Sequence, residues 1–325
     1  MTPIILKNAE SGATARILAE AGFNLYQLQV PVGSRTVDVL DATPDFETTG
    51  QHPTRSGIPL LFPFPNRIRG AKYNWAGREY VLEGIHQDGQ GNAIHGLVVD
   101  RPWRVIEREA DAVVGQFQLS VDAPDRRSVW PADFLIEVRY ELKPSALRCD
   151  LRVVNPDSVP LPFGFGTHSY FKVPLSAGSR RDDCLMQAPA TEEWELVGCL
   201  PTGKRLPVSG RKDLREGQEL AGLKLDDALT GLSRKGLSAN GKQVDTVVMD
   251  PSAGLEVRQT FDSVAFRDLV VYTPPHGRSV CLEPYTCMTD AVHLAEQGID
   301  GGWRVLAPGA EFRTWFEISA GLVYA

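Results

Sequence analysis

The chain of 325 residues is short of the features that mark several protein classes. Its cysteines are few: Cys149, Cys184, Cys199, Cys281 and Cys287, odd in number and with no Cys-x-x-Cys pair. That pattern fits neither a secreted disulfide framework nor a zinc knuckle, and reduced thiols in a cytoplasmic protein are the simplest reading. No apolar run reaches about 18 residues, so no transmembrane helix and no membrane partner is expected. The opening MTPIILKNAESG has no basic segment followed by a long apolar one, so no secretory leader is read there. Lysine and arginine are scattered, with short pairs such as Arg180–Arg181, and the formal net charge is −7. A phosphate-tracking surface needs a clustered basic face, so nucleic acid is not an expected partner. A P-loop, a complete GxGxxG and a GxSxG elbow are all missing. No HxH, HxxxH or HExxH pair occurs, so a metal site would need long-range assembly, and none is expected.

What the chain does have is strands. Hydrophobic residues make up 42% and charged residues 23%, enough for a large buried core in a soluble protein. Short alternating or β-branched runs recur between turn residues. FNLYQLQVPVG and RTVDVLDA alternate, and KYNWAGREYVL reads as a hairpin turning at Ala76-Gly77. WRVIEREADAVVGQFQLSV and FLIEVRYELKPSALRCDLRVVNP each read as a strand pair. LEVRQTFD, DLVVYTPP, SVCLEPYT and FRTWFEIS complete the set. Only ATARILAEAG and DAVHLAEQG have a helical composition, and both are short. The stretch 175–245 is rich in Gly, Ser and charge and reads as loops between strands. Short turns without β–α alternation argue for one all-β domain over 1–325, an antiparallel sandwich or barrel.

Several dense polar stretches interrupt the pattern. FPFPNRIRG carries Asn66 and Arg67, GNAIHGLVVDRPW carries His95, GFGTHSYF carries His168, KLDDALTGL carries Asp226 and Asp227, and VCLEPY carries Glu283. A strand core excludes such side chains unless they are paired. If the VCLEPY strand is central, Glu283 must be paired, protonated or functional; on a solvent face it is unremarkable. His168 reads equally as a hydrogen-bonded strand histidine, His95 as a loop residue between turn formers, Arg67 as a surface arginine, and the aspartates as turn or cap residues.

Taken in order, Asn-Arg-Ile, Asn-x-x-His-Gly, His-Ser-Tyr-Phe, Leu-Asp-Asp and Cys-Leu-Glu, these stretches resemble the aldose 1-epimerase (galactose mutarotase) family over roughly residues 10 to 322. The resemblance implies a β-supersandwich of large, mostly antiparallel sheets with an open sugar cleft across one of them. It implies Glu283 as general base and His168 as general acid. His95 matches a second histidine at the sugar ring, Asn66 and Arg67 an Asn-Arg pair on sugar hydroxyls, and Asp226 an aspartate with the same task. Lys172 stands where the family often has asparagine, and Pro274-Pro275 lie where many members carry glutamine.

Mutarotation opens and recloses the ring of a free aldohexose such as glucose or galactose, so a small sugar is the expected partner and no cofactor is needed. The chain is expected to act as a monomer or homodimer. A carboxylate and a histidine, with ordinary pKa values of about 4.3 and 6.5, suit the two proton transfers. On this reading Glu283 is ionised, a neighbouring carboxylate keeps His168 protonated, and activity falls in acid as Glu283 protonates and in alkali as His168 loses its proton. Two rival readings are a hexose-6-phosphate 1-epimerase, with Arg55, Arg69, Arg101 or Lys172 at the rim, and a carbohydrate-binding protein without catalysis.

Overall fold

The computed structural model describes residues 1–232 and 243–323. Antiparallel pairing dominates, because the strands are joined by turns too short for a parallel crossover. In KYNWAGREYVL, strands Lys72–Trp75 and Arg78–Val81 flank Ala76 (φ 49°) and Gly77 (φ 78°), the two left-handed residues of a tight hairpin.

The larger of two big sheets has nine strands. Its order is Arg104–Arg108, Ala112–Gln118, Leu135–Leu142, Ala146–Val154, Glu311–Leu322, Leu255–Asp262, Gln243–Asp250, Leu185–Gln187 and Gln218–Glu219. Leu135–Leu142 and Leu255–Asp262 alternate strictly between buried and half-buried residues, so one face is core and the other meets solvent. The second sheet has eight strands, and Ser279–Tyr285 lies inside it, bonded to Asp268–Tyr272 on one side and to Gly166–Thr167 and Tyr170–Lys172 on the other. A four-stranded sheet over Ile4–Asp38 covers one end.

One hydrophobic cluster joins all three sheets: Leu25 and Leu28, Val257 and Phe316, and Val271, Val280 and Leu282 all belong to it. Burying each such side chain contributes about 1.5–3 kcal/mol. The all-β supersandwich expected from the sequence is therefore present.

Two expectations are overturned. ATARILAEAG forms strand Thr14–Leu18, whose residues pair between Ile4–Lys7 and Asn24–Val32; sheet pairing overrides its helical composition. The presumed loop region 175–245 contains long strands at Ala190–Val197, Leu200–Pro207 and Asp226–Leu232. Leu200–Pro207 forms a polar edge of the second sheet, where charged residues are tolerated and the strand signal is weak. The SRKGLSANGK part of that region lies outside the described residues. DAVHLAEQG does contain a short helix, Ala291–Glu296.

Candidate active site

Register on the second sheet assembles the site. Tyr272 pairs with Asp226 on one neighbour and with Cys281 on the other; Cys281 also pairs with Tyr170, and Val270 pairs with Glu283. Side chains two apart along a strand share a face. Asp226, Tyr272, Val270, Glu283 and Tyr170 therefore line one side of a cavity of about 280 Å³. Ser279–Tyr285 is buried on both faces: Val280 and Leu282 enter the intersheet core, while Tyr285 joins a second apolar cluster with Val270 and Ala228. Glu283, only 1% exposed, belongs to that second side.

The opposite wall comes from chain ends in left-handed backbone. Asn66 (φ 53°) and His95 (φ 69°) are bridged by a 2.8 Å bond from the His95 amide to the Asn66 carbonyl. Non-glycine residues rarely adopt this conformation, and it commonly marks a functional site. Next to them Arg67 donates through Nε to Asp88 Oδ2 (2.7 Å) and through Nη1 to Asn66 Oδ1 (2.8 Å). Burial alone would raise the Asp88 carboxyl, but hydrogen bonds from Asn92, Arg67 and Gln90 hold it down to about 2.

The GFGTHSYF stretch places His168 between these walls. Its ring stacks on Tyr170 at 4.6 Å and meets His95 edge-on at 5.6 Å. Its Nδ1 lies 3.3 Å from Glu283 Oε1 but is not aligned for a hydrogen bond, and His95 Nδ1 is likewise buried without one. Two residues that line the cavity thus each keep a buried imidazole nitrogen without a hydrogen-bond partner, which is unusual for polar atoms inside a protein.

All six residues singled out in the sequence, Asn66, Arg67, His95, His168, Asp226 and Glu283, line this one cavity. A larger depression of about 460 Å³ lies on the nine-stranded sheet; there Arg152 pairs with Glu137 at 2.8 Å, and its lining holds no unsatisfied buried side-chain polar atom.

The family profile described as aldose 1-epimerase matches residues 4–319. The chain belongs to the aldose 1-epimerase family. An uncharacterized Escherichia coli K12 protein, YihR, is 31% identical over 138 residues, which is 42% of this chain and 42% of that protein. The chain thus matches well under half the length of that curated relative. Among solved structures, a galactose mutarotase-like protein from Clostridium acetobutylicum superposes with a TM-score of 0.85 at 23% identity, covering 96% of this chain and 93% of that one. The galactose 1-epimerase of Lactobacillus acidophilus NCFM superposes with a TM-score of 0.72 at 16% identity, covering 99% and 95%. At these identities the structural likeness shows the shared fold.

The family resemblance suggested an ionised Glu283 beside a protonated His168, and burial of both groups opposes that charged pair. A carboxylate does stand beside the histidine, but burial outweighs it. Burial pushes His168 down to about 3, and Arg67 adds to the effect. Burial likewise drives the Glu283 carboxyl well above its usual range, against the opposing Tyr285 hydrogen bond. His95 is held far below the ordinary histidine value by burial and by the neighbouring His168. Burial thus works against the charged form of both partners.

Tyr170, Tyr272, Thr54, Arg55, His86 and Asp88 also line the cavity and were not singled out as site residues by the sequence. Tyr272 continues the alternation of DLVVY and Tyr170 follows His168 by two, so strand period was the signal available for both. Lys172 instead pairs with Asp38 at 2.6 Å, Arg69 with Asp290, and Arg101 with Asp125. Of the four basic candidates only Arg55 lines the cavity. Asp227 turns away to Lys212 at 2.9 Å. His168, Cys281 and Glu283 bring donor atoms within 4.8 Å of one another, but burial holds the thiol firmly protonated and Tyr285 occupies Glu283 Oε2, so we assign no metal to them. Among the described residues no helix is long and apolar enough to cross a membrane.

Proposed function

We propose that this chain is an aldose 1-epimerase that interconverts the anomers of a free aldohexose. The observation that carries this reading is the pair of Glu283 and His168, 3.3 Å apart and lining one polar cavity, close enough to share a proton. In the proposed resting form that proton rests on Glu283, the uncharged arrangement that burial favours. Its transfer to His168 creates the ion pair, which the hydroxyl dipoles of a bound sugar stabilise in place of water.

Ring opening then follows with atoms balanced. Glu283 takes the proton of the C1 hydroxyl while His168 gives its proton to the ring oxygen. The C1–ring oxygen bond breaks, and C1 becomes a carbonyl. Rotation about C1–C2 and reversal of both transfers close the ring on the other face. His95, kept neutral by burial, and Arg67 and Asp226 supply hydrogen bonds to the sugar. Each positioned proton-transfer group contributes about 10²–10⁴-fold. The cycle regenerates the pair, so it needs no cofactor.

Of the two guanidinium groups lining the cavity, Arg67 is paired with Asp88, and Arg55 alone favours an uncharged sugar over a hexose 6-phosphate, whose phosphate calls for several donors. Polarimetry with freshly dissolved α-D-glucose and α-D-galactose tests the proposal, and a coupled assay with glucose 6-phosphate tests the rival. Acceleration on the free sugars is expected. Sugar binding by calorimetry with no acceleration on any aldose would sink the enzyme reading in favour of a binding protein.

A further inference from the structure

Glu283 is held by more than its own strand. Its Oε2 accepts a 2.6 Å hydrogen bond from the hydroxyl of Tyr285, two residues on along the same strand face. Tyr285 is fully buried and does not line the cavity. The Asn66 side chain lies beside that phenol and opposes the rise in its pKa. Asn66 Oδ1 accepts from Arg67 Nη1, and Arg67 is pinned to Asp88.

We infer that Tyr285 is a positioning residue, which holds Glu283 Oε2 and leaves Oε1 as the single oxygen that exchanges a proton with substrate. The inference rests on the epimerase reading for its chemistry. Its geometry comes from this strand. A carboxylate on a side chain with free torsions presents either oxygen; with Oε2 engaged in a buried bond, Oε1 is the atom turned to His168 at 3.3 Å. A hydrogen bond given to a carboxylate also favours its charged form, and a buried charge-assisted bond is among the stronger ones. Tyr285 is suited to remain the donor throughout. Burial, and the Glu283 charge beside it, drive its own phenol far above the usual tyrosine value, so it keeps its proton through the cycle.

The test is Tyr285→Phe, which keeps the ring and its packing. The titratable and charged groups facing Glu283 are His168, Tyr285, Cys281, Asp226, Arg67, Tyr170 and Tyr272. Removing the donor disfavours only the ionised carboxylate. The pair therefore loses its last proton at a higher pH, and the ion pair needed for turnover becomes rarer. The expected result is a kcat about tenfold lower near neutrality and an alkaline limb of kcat/KM displaced upward by about one pH unit, for a bond of ordinary charged-group strength. KM should stay within about twofold. Placing 3-fluorotyrosine at 285, a stronger donor of nearly the same shape, should move the limb the other way. Carbon-13 titration of the Glu283 carboxyl in both variants reads the same displacement with no substrate present. That readout separates failure of this inference from failure of the epimerase reading. Superimposable titration curves and pH–rate profiles would overturn the role of Tyr285, whatever the protein turns over.

Discussion

At the residue scale, the chemistry depends on one buried carboxyl. Glu283 is 1% exposed, and its neighbours decide where the pair's proton sits. Glu283→Gln removes the exchanging group and keeps the shape. It should lower kcat by about 10²–10⁴-fold and leave calorimetric sugar binding within a few-fold. Polarimetry at near wild-type rate would remove Glu283 from the mechanism. The same geometry widens the pH window for activity. Because burial pushes His168 down to about 3 and raises Glu283, the uncharged arrangement of the pair, with its proton on the carboxyl, is favoured. Activity should persist on both sides of the narrow bell that ordinary carboxylate and histidine values of about 4.3 and 6.5 would predict. A pH–rate profile peaking sharply between those two values would count against that arrangement.

At the element scale, the strand Ser279–Tyr285 can be this closely served because its partner segment is stripped of side chains. Gly166 pairs with Tyr285, and a Cβ there would run into the Tyr285 ring and Pro65. At Gly164 a Cβ would run into Cys287 Sγ. Neither glycine is needed for its backbone angles; each is needed for close approach. Gly166→Ala should cost about 1–3 kcal/mol by overpacking and should also lower kcat, because it displaces the ring that holds Glu283. Gly178→Ala, in open space, is the control. Equal melting temperatures for the two variants would show that the packing at Gly166 is slack. The two glycines of GFGTHSYF were visible in the sequence as a fragment of a phosphate-binding pattern, and their partner was not, since Tyr285 lies more than a hundred residues away.

At the scale of the whole molecule, the sheets are joined through aromatic contacts. Phe23, in left-handed backbone at φ 53°, stacks on Tyr140 at 5.3 Å and on Trp103 at 5.7 Å, which ties the four-stranded sheet to the nine-stranded one. Phe23→Ala should destabilise the fold by about 3–5 kcal/mol with KM for sugar unchanged, measured by denaturant titration and polarimetry. A loss under about 1 kcal/mol would mean the sheets are joined elsewhere. The buried site also makes stability depend on pH. Depressed His95 and His168 contribute stability above the unfolded histidine value, and lose it as pH falls toward their folded values. Raised Glu283 contributes below the unfolded carboxyl value and loses it as pH rises. The histidine part is therefore lost as pH falls below about 6.5, and the carboxyl part as pH rises above about 4.3. His95→Gln should flatten the acid side of a plot of melting temperature against pH; an unchanged slope there would show that His95 titrates freely in the folded protein.

The sequence by itself determined the strand content, the KYNWAGREYVL hairpin and the six polar residues that gather at the cavity, because strand period, turn residues and a carboxylate inside an apolar run are local signals. It also carried the family, through five short motifs in order. Edge strands such as Leu200–Pro207 escaped it, since a polar edge has no buried face to impose a pattern. The direction in which burial shifts Glu283 and His168, the hydrogen bond from Tyr285 to Glu283, and the diversion of Lys172 to Asp38 were decided only by the tertiary structure. Each depends on burial or on a partner distant in the chain, and desolvation is a property of the assembled molecule.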